Sequence, residues 1–265
     1  MSTSRGIWLR VLRWSNFGVQ MAYLTWIEDE ALKTCVREVL TKGLAGISKA
    51  EKSFYRNGVD PFSALFDATC QNVTLEQWLN FERKRQAQKT LQNALGNFHQ
   101  KLLAKVGDWE IPALGFIDLV SEKSKMVAEV KNKHNTVKKS DLKAVYDELQ
   151  SAVLHKTSKY HGYTSYYVTV IPASKKRFNK AFTPSDNETK TVRQPNKLIL
   201  EIDGYSFYSL VTGKPDALKQ LYEVLPFVIK DVLAEQAFPN EKIVALSQEP
   251  LFAELFAKAF GSLLP

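Results

Sequence analysis

The chain has 265 residues, enough for one large domain or two small ones, and its 45% hydrophobic content supports a sizeable core. Lys and Arg number 36 against 28 Asp and Glu, which gives a net charge of +8. This charge suits a polyanionic partner, but a basic protein with no such partner is an equally good interpretation of charge alone. Two cysteines without C-x-x-C spacing exclude a disulfide framework and a zinc site, and no run reaches the roughly 18 apolar residues of a membrane span, so we expect a cytoplasmic protein.

The first twenty residues differ in character from the rest. They are basic and apolar, but they contain neither a continuous apolar core nor a small-residue cleavage site, which argues against a secretory signal. A short targeting helix is one interpretation. We favour residues 1–20 as an extension outside the fold or as the product of a start assigned too far upstream, with a single domain over residues 21–265.

The next hundred residues carry helical patterns. An amphipathic helix is predicted from Glu28 to Leu40, with Gly43 and Gly46 ending it. Thr74 and Gln77 form a capping box, which opens a long polar helix. Gly96 is expected to interrupt that helix before it resumes at Asn97.

The segment from Gly115 to Thr136 predicts a β-hairpin. Two apolar runs, Phe116–Val120 and Met126–Val130, flank a short polar stretch suited to a turn. A turn centred between Lys123 and Ser124 places Val120 opposite Val127 and Asp118 opposite Glu129.

This pairing brings two carboxylates together. Side chains alternate along a strand, so Asp118, Glu129 and Lys131 share one face. Directly opposed Cβ atoms lie about 4.5–5.5 Å apart, and two carboxylates that close repel each other unless a cation lies between them. An all-oxygen site suits Mg²⁺. An amphipathic edge hairpin with a solvated ion pair is the alternative.

An acidic pair with a bound metal beside a lysine suits phosphodiester hydrolysis. The metal polarises the phosphoryl oxygen and activates water, and the lysine orients that water or stabilises the growing charge. Acid-x-Lys occurs four times, but only the copy at Glu129 follows an apolar strand and has an aspartate at hairpin distance. The other copies start at Glu82, Asp141 and Glu188.

Asp118 followed by Glu129-Val-Lys131 resembles the PD-(D/E)xK nuclease motif, with Ile117 where a proline often precedes the aspartate. The longer string Ala128–Thr136 resembles the signature of the type II restriction endonuclease family that cleaves GGNCC-type sites. Three further segments resemble the same family, and the likeness spans the chain from about Glu28 to Phe238. They are Asn97–Gln100, Phe182–Asp186 and Glu201–Tyr208.

The resemblance implies an α/β fold: a PD-(D/E)xK nuclease core with a mixed sheet, a central antiparallel hairpin and helical additions at both ends. It implies that Asp118 and Glu129 bind Mg²⁺, that the carbonyl of Val130 adds a ligand, and that Lys131 assists the attacking water. It also implies that the helix carrying Gln100 brings this residue towards the scissile phosphate. Ordinary surface polarity is the alternative for Gln100.

Basic residues after the catalytic strand are candidates for DNA contacts. Lys133, His134 and Asn135 follow the strand end, where their side chains can read base edges, and Lys139 is expected to contact phosphate. Further basic residues lie in two later segments, for which phosphate binding and plain solvent exposure remain equally open. They are Lys156, Lys175 and Arg177.

Downstream patterns complete the fold prediction. Ser140 is expected to cap a helix that leads to a β-rich run at Thr164–Ile171, and a crossover of this length favours parallel pairing of the two strands. Phe182–Asn196 reads as a long loop. The last third is helical, with an aromatic stripe after Pro250 that suits a core or a dimer seam.

We therefore predict a Mg²⁺-dependent type II restriction endonuclease that hydrolyses double-stranded DNA at a short palindromic, GGNCC-like site. A homodimer matches the two-fold symmetry of such a site, and the family resemblance implies functional pairing with a cognate DNA methyltransferase. Two alternatives are a non-catalytic DNA-binding protein on a nuclease-like fold and a PD-(D/E)xK repair nuclease of low sequence specificity.

Overall fold

A mixed α/β architecture is seen in a computed structural model, which describes residues 22–52, 54–113, 115–186, 191–236 and 242–261. The predicted extension at residues 1–20 lies outside these ranges. The helices are α1 (Asp29–Lys52), α2 (Pro61–Gln71), α3 (Leu75–Leu103), α4 (Leu142–Leu154), α5 (Gly204–Thr212), α6 (Ala217–Glu235), α7 (Lys242–Leu246) and α8 (Pro250–Phe260). The strands are β1 (Trp109–Glu110), β2 (Leu119–Ser121), β3 (Met126–Lys133), β4 (Thr164–Ile171), β5 (Asn179–Ala181) and β6 (Ile199–Asp203).

The six strands form one mixed sheet in the order β1-β2-β3-β4-β6-β5. The β2–β3 hairpin is antiparallel and pairs Val120 with Val127, which confirms the predicted register. Strand β4 runs parallel to both β3 and β6, so the β3–α4–β4 crossover is also as predicted. The first hairpin strand is shorter than expected, because it begins only at Leu119.

Both faces of the sheet are covered, as the alternation along β3 shows. Ala128 and Val130 point into the larger core, which also contains residues from α1, α3, α5, α6 and α8. Val127 points the other way, into a smaller core that contains Tyr146 and Leu149 of α4. A strand buried on both sides explains the nearly continuous apolar run that precedes Lys131.

Helices α1 and α3 pack along each other, and two glycine-based predictions were wrong there. Helix α1 continues through Gly43 and Gly46. A Cβ atom on Gly46 would lie 2.8 Å from the Cβ of Thr90, so this glycine permits close helix packing instead of ending the helix. Helix α3 likewise runs through Gly96 without interruption.

The helices in the second half of the chain differ from the sequence prediction at the start of α4. Ser140 is not a helix cap: a 3₁₀ turn over Lys139–Asp141 leads into α4, whose first position has no side-chain cap. Helix α6 continues through Pro226, and α8 begins at Pro250 and ends before Gly261. No described helix is long and apolar enough to cross a membrane.

Candidate active site

The site lies where the chain enters the first hairpin strand, β2. The N–H of Asp118 donates to the carbonyl of Ala128 at 3.0 Å, and the N–H of Val130 donates to Asp118 Oδ2 at 2.8 Å. The main chain of β3 therefore holds the Asp118 carboxylate directly beside Glu129. The two carboxyl groups are close enough for each to affect the ionisation of the other.

Lys131 completes the group. Its Nζ contacts Glu129 Oε1, and the two residues are one strand repeat apart, so they project from the same face of β3. Glu129 is buried, whereas Asp118 and Lys131 are half-buried. The structure thus brings together the three side chains that the hairpin pattern grouped.

The electrostatics of the pair are strained. Burial, together with the negative charge of Asp118, raises the pKa of Glu129 from 4.5 to about 7, although the contact with Lys131 works in the opposite direction. Burial also raises the pKa of Asp118, against the hydrogen bond from Val130 and the positive charge of Lys131. A cation placed between the carboxylates would favour both ionised forms.

The donor set fits a hard divalent cation. Glu129 Oε2 is buried and has no hydrogen-bond partner, so one oxygen of the pair is free for a ligand. Within a strand, both main-chain polar groups of a residue point towards the same neighbour. The carbonyl of Val130 is therefore expected on the edge where its N–H meets Asp118. Within the described ranges there is no cluster of three or more His, Cys, Asp or Glu side chains. The candidate ligands are therefore two carboxylates and one main-chain carbonyl, all of which are oxygen donors.

Helix α3 contributes the flank of the site. Gln100 Nε2 lies 3.5 Å from the carbonyl oxygen of Asp118, so the helix does reach the hairpin. Its neighbour His99 faces the core, where Nδ1 lies 2.7 Å from the hydroxyl of Tyr208. Burial lowers the pKa of His99 to about 4, which keeps the imidazole neutral at physiological pH and fits a structural role.

The predicted base-reading residues lie at the exposed end of β3. Lys133, His134 and Asn135 are all exposed. The turn that carries them is fixed by its main chain: the N–H of His134 donates to the carbonyl of Ile171, and that of Lys133 donates to Thr136 Oγ1. Their side chains are therefore available for contacts outside the protein.

The remaining candidates for DNA contacts have different surroundings. Lys156 and Lys175 are exposed, whereas the side chain of Lys139 lies outside the part of the chain that the structure describes. Arg177 is also exposed, but its side chain has partners in the protein: the guanidinium lies 3.4 Å from the buried Asp203 and 3.5 Å above the ring of Tyr205. These contacts give Arg177 a structural task, and its role in DNA binding stays a prediction.

Strand β4 adds two polar residues that the sequence did not single out. Glu129 pairs with Tyr167, and Lys131 pairs with Thr169. Burial raises the pKa of Tyr167 to about 12, with smaller effects from Glu129 and Glu201, so the phenol stays protonated beside the carboxylates. In the sequence, a tyrosine within an apolar strand has the pattern of a core residue. Only the parallel register of β3 and β4 could have placed it next to Glu129.

A mixed sheet that carries an Asp, Glu-x-Lys set on its hairpin defines the class of PD-(D/E)xK nucleases. Residues 24–234 match the family model described as Eco47II restriction endonuclease. The chain is 40% identical to the type II restriction enzyme Eco47II of Escherichia coli over 242 residues, covering 91% of this chain and all of that protein. It is 30% identical to the type II restriction enzyme Sau96I of Staphylococcus aureus over 244 residues, covering 89% of each chain.

The chain belongs to the Eco47II restriction endonuclease family. Membership of this family makes the protein a site-specific deoxyribonuclease, an enzyme whose substrate is DNA.

Proposed function

We propose that the protein cuts both strands of DNA at a short two-fold-symmetric, GGNCC-like site, with Mg²⁺ held by Asp118, Glu129 and the carbonyl of Val130. The observation that carries this proposal is the buried carboxylate pair beside Lys131, in which Glu129 Oε2 has no hydrogen-bond partner. A site of this kind is costly for a protein that does not use it, because two close, buried carboxylates with an unpartnered oxygen destabilise the fold.

The bound metal would supply charge neutralisation on the phosphate and a lowered pKa for the attacking water. The protein residues prepare the site for that chemistry. Val130 N–H fixes one oxygen of Asp118, and Lys131 fixes one oxygen of Glu129, so both carboxylates are oriented before DNA arrives. Preorganised charges of this kind need no rearrangement during the reaction.

Lys131 has a second task in this proposal. Its ammonium group lies beside Glu129 at the rim of the site, where it can orient the water that attacks phosphorus and stabilise the charge that grows on the phosphate oxygens. The attacking water forms the new P–O bond in line with the departing 3′ oxygen. The products are a 5′ phosphate and a 3′ hydroxyl.

Gln100 is proposed to assist from helix α3. Its amide is close enough to the main chain of Asp118 for a weak hydrogen bond in the protein alone, and the same side chain can hold a water near the metal when DNA is bound. The half-buried position of Gln100 supports this role over simple surface polarity.

The partners follow from the reaction. A two-fold DNA site is matched by a two-fold protein dimer in which each subunit cuts one strand, so we propose a homodimer. A nuclease of this specificity requires protection of the host's own sites, which a cognate DNA methyltransferase would supply. The unpaired cysteines Cys35 and Cys70 fit a reducing cytoplasm as the working compartment.

Incubation of purified protein with plasmid DNA and Mg²⁺, followed by sequencing of the ends, tests this function. Discrete fragments with a shared short sequence at every end are expected. A smear would instead support a repair nuclease of low specificity, and intact DNA with a gel shift would support a non-catalytic DNA-binding protein. The presence of all three side chains of the catalytic group favours the enzyme over the binding protein.

A further inference from the structure

Helix α2 carries a second apolar face that nothing in the described part of the subunit covers. Its inner face packs Ala64 and Ala68 against Trp78 of α3 in a small separate core. On its outer face, Phe62, Leu65 and Phe66 have the i, i+3, i+4 spacing of one helical stripe and are 74%, 59% and 71% exposed. A helix with apolar residues on both faces is normally buried on both.

We propose that this outer face of α2, defined by Phe62, Leu65 and Phe66, is the surface through which two copies of the chain associate. The proposal rests on the proposed function, because a homodimer is needed only if each subunit cuts one strand. It also places the interface away from the aromatic stripe after Pro250, which the sequence offered as a core or a dimer seam.

The charge of α2 argues against DNA or a membrane as the occupant. The segment from Asp60 to Gln71 contains two aspartates and no lysine or arginine, within a chain of net charge +8. Phosphate backbones and anionic lipid surfaces both require basic residues at the contact. An acidic helix with an aromatic stripe therefore suits a protein partner.

The composition and size of the stripe favour a second copy. Two-fold interfaces are self-complementary and apolar at their centres, and aromatic residues are enriched there. Each aromatic side chain can bury roughly 150–250 Å². Phe62 and Phe66, both more than 70% exposed, therefore supply at least about a quarter of the roughly 800 Å² that a stable interface needs from each partner. Leu65, more than half exposed on the same stripe, adds to this area.

The C-terminal helix α8 exposes much less aromatic surface for an interface than α2 does. Its aromatic residues are internal: Phe256 and Phe260 are buried, and Phe252 stacks on Tyr222 at 4.3 Å between ring centroids. The prediction of a seam there assumed exposed aromatic side chains, and that assumption was wrong. Of the large hydrophobic residues of α8, only Leu251 and Leu255 are exposed, at 48% and 53%.

Helix α3 connects the proposed interface to the active site. Trp78, which supports α2, and Gln100, which touches the main chain of Asp118, lie on the same uninterrupted helix. Their separation of 22 residues corresponds to about 33 Å at 1.5 Å per residue. Pairing at α2 would thus place each active site about 33 Å along α3 from the interface.

Sedimentation of the full chain across a wide concentration range tests the surface. The double variant F62S/F66S is expected to weaken dimerisation by roughly 30-fold or more, the effect of losing an aromatic residue at the centre of an interface. The matched control L251S/L255S removes two exposed apolar side chains from α8 and should sediment as the wild type does. The Asp60 cap and the Ala64–Trp78 packing are untouched in F62S/F66S, so its circular dichroism spectrum should match that of the wild type.

A cross-linking measurement gives an independent answer. In a C70S background, L65C should form a covalent dimer with a short bifunctional maleimide, because a residue near a two-fold axis meets its own copy. L255C in the same background should stay monomeric on the gel.

A wild-type dimer that F62S/F66S leaves intact, with no cross-link through L65C, would overturn the proposed surface while leaving the homodimer in place. A wild-type monomer, both free and on DNA, would overturn the surface and the homodimer together. The plasmid assay on the same sample reports separately whether the nuclease proposal stands.

Discussion

The N–H of Val130 donates to Asp118 Oδ2 at 2.8 Å, so the strand that carries Glu129 also fixes the other carboxylate of the pair. Asp118 lies just before the first hairpin strand, where its own N–H donates to the carbonyl of Ala128 on the same neighbouring strand. The bond from Val130 adds a hold on the carboxylate to this main-chain bond. It sets the position of Asp118 by main-chain geometry, which is more rigid than contact between two side chains.

Removal of either carboxyl charge is expected to stop cleavage. D118N and E129Q keep the shape of each side chain but lose the charge that binds the metal, and we expect the cleavage rate to fall by at least about 100-fold. DNA binding should persist or improve, because less negative charge faces the phosphate. Single-turnover cleavage and gel-shift titration measure the two effects separately.

The matched control for these variants is E110Q, which removes an exposed acid on the edge strand β1. It should cleave at the wild-type rate. Wild-type cleavage by D118N or E129Q would mean that these carboxylates do not bind the catalytic metal.

The raised pKa of Glu129 predicts a pH-dependent stability in the absence of metal. Because the folded protein binds the proton more tightly than the unfolded chain, the pair stabilises the fold below pH 4.5, and this contribution is lost as the pH rises through about 7. One pKa unit corresponds to 1.36 kcal/mol, so a rise from 4.5 to about 7 makes the loss roughly 3 kcal/mol. E129Q without metal should therefore melt higher than the wild type at pH 8, and the two should converge at low pH.

Mg²⁺ provides the control for the pH effect. It should raise the melting temperature of the wild type at pH 8 and leave E129Q nearly unchanged. Equal melting curves for the two proteins at every pH would show that the carboxylate pair is not strained.

Lys131 should affect the reaction more than DNA binding. K131A removes the cation that contacts Glu129, so we expect a rate loss of about 100-fold or more and a higher Mg²⁺ requirement, because the pKa of Glu129 would rise further. Affinity for DNA in Ca²⁺ should change little. A variant that loses affinity and retains its rate at saturating DNA would assign Lys131 to binding instead.

The exposed turn after β3 is expected to read the DNA sequence. K133A and H134A should each weaken binding to the cognate duplex by roughly 1–3 kcal/mol per lost base contact, with little effect on a scrambled duplex. K139A is the matched variant for a phosphate contact: it should weaken both duplexes alike and lower the salt slope by about one. Binding in Ca²⁺ over a range of salt concentrations distinguishes them, and equal losses on both duplexes for K133A and H134A would mean that the turn binds the backbone.

The sequence was sufficient for the hairpin because local rules determine it. Two apolar runs around a polar turn leave one register that buries Val120 and Val127 together, and side-chain alternation then groups Glu129 with Lys131. The parallel pairing of β3 with β4 followed from the length of the crossover helix. These inferences needed no knowledge of distant parts of the chain.

Long-range packing determines what the sequence could not provide. Gly46 lies within a helix because Thr90 of α3 packs against it, and no local signal distinguishes such a glycine from one that ends a helix. Tyr167 adjoins Glu129 only through strand register. The outer face of α2 carries the same residue types as a helix face that packs in a core, and only the solvent exposure of its side chains in the structure distinguishes an outer face from a core face.

Gly204 gives a test of the fold itself. A Cβ atom there would lie 2.5 Å from both the Cα and the carbonyl oxygen of Val170, which are main-chain atoms that cannot move aside easily. G204A should therefore be destabilised by at least about 1–3 kcal/mol, the usual cost of overpacking. G96A, at a helical position with open space around it, is the control and should melt at or above the wild-type temperature. Thermal unfolding of both variants checks the close approach of α5 to β4.

Mapping of DNA ends produced by the wild type and by E129Q, in Mg²⁺ and without metal, tests the central claim most directly. The wild type in Mg²⁺ should cut both strands at one short two-fold-symmetric sequence, and the other three samples should leave that sequence intact. Cleavage without metal, or by E129Q at the wild-type rate, would contradict a metal site built on Asp118 and Glu129.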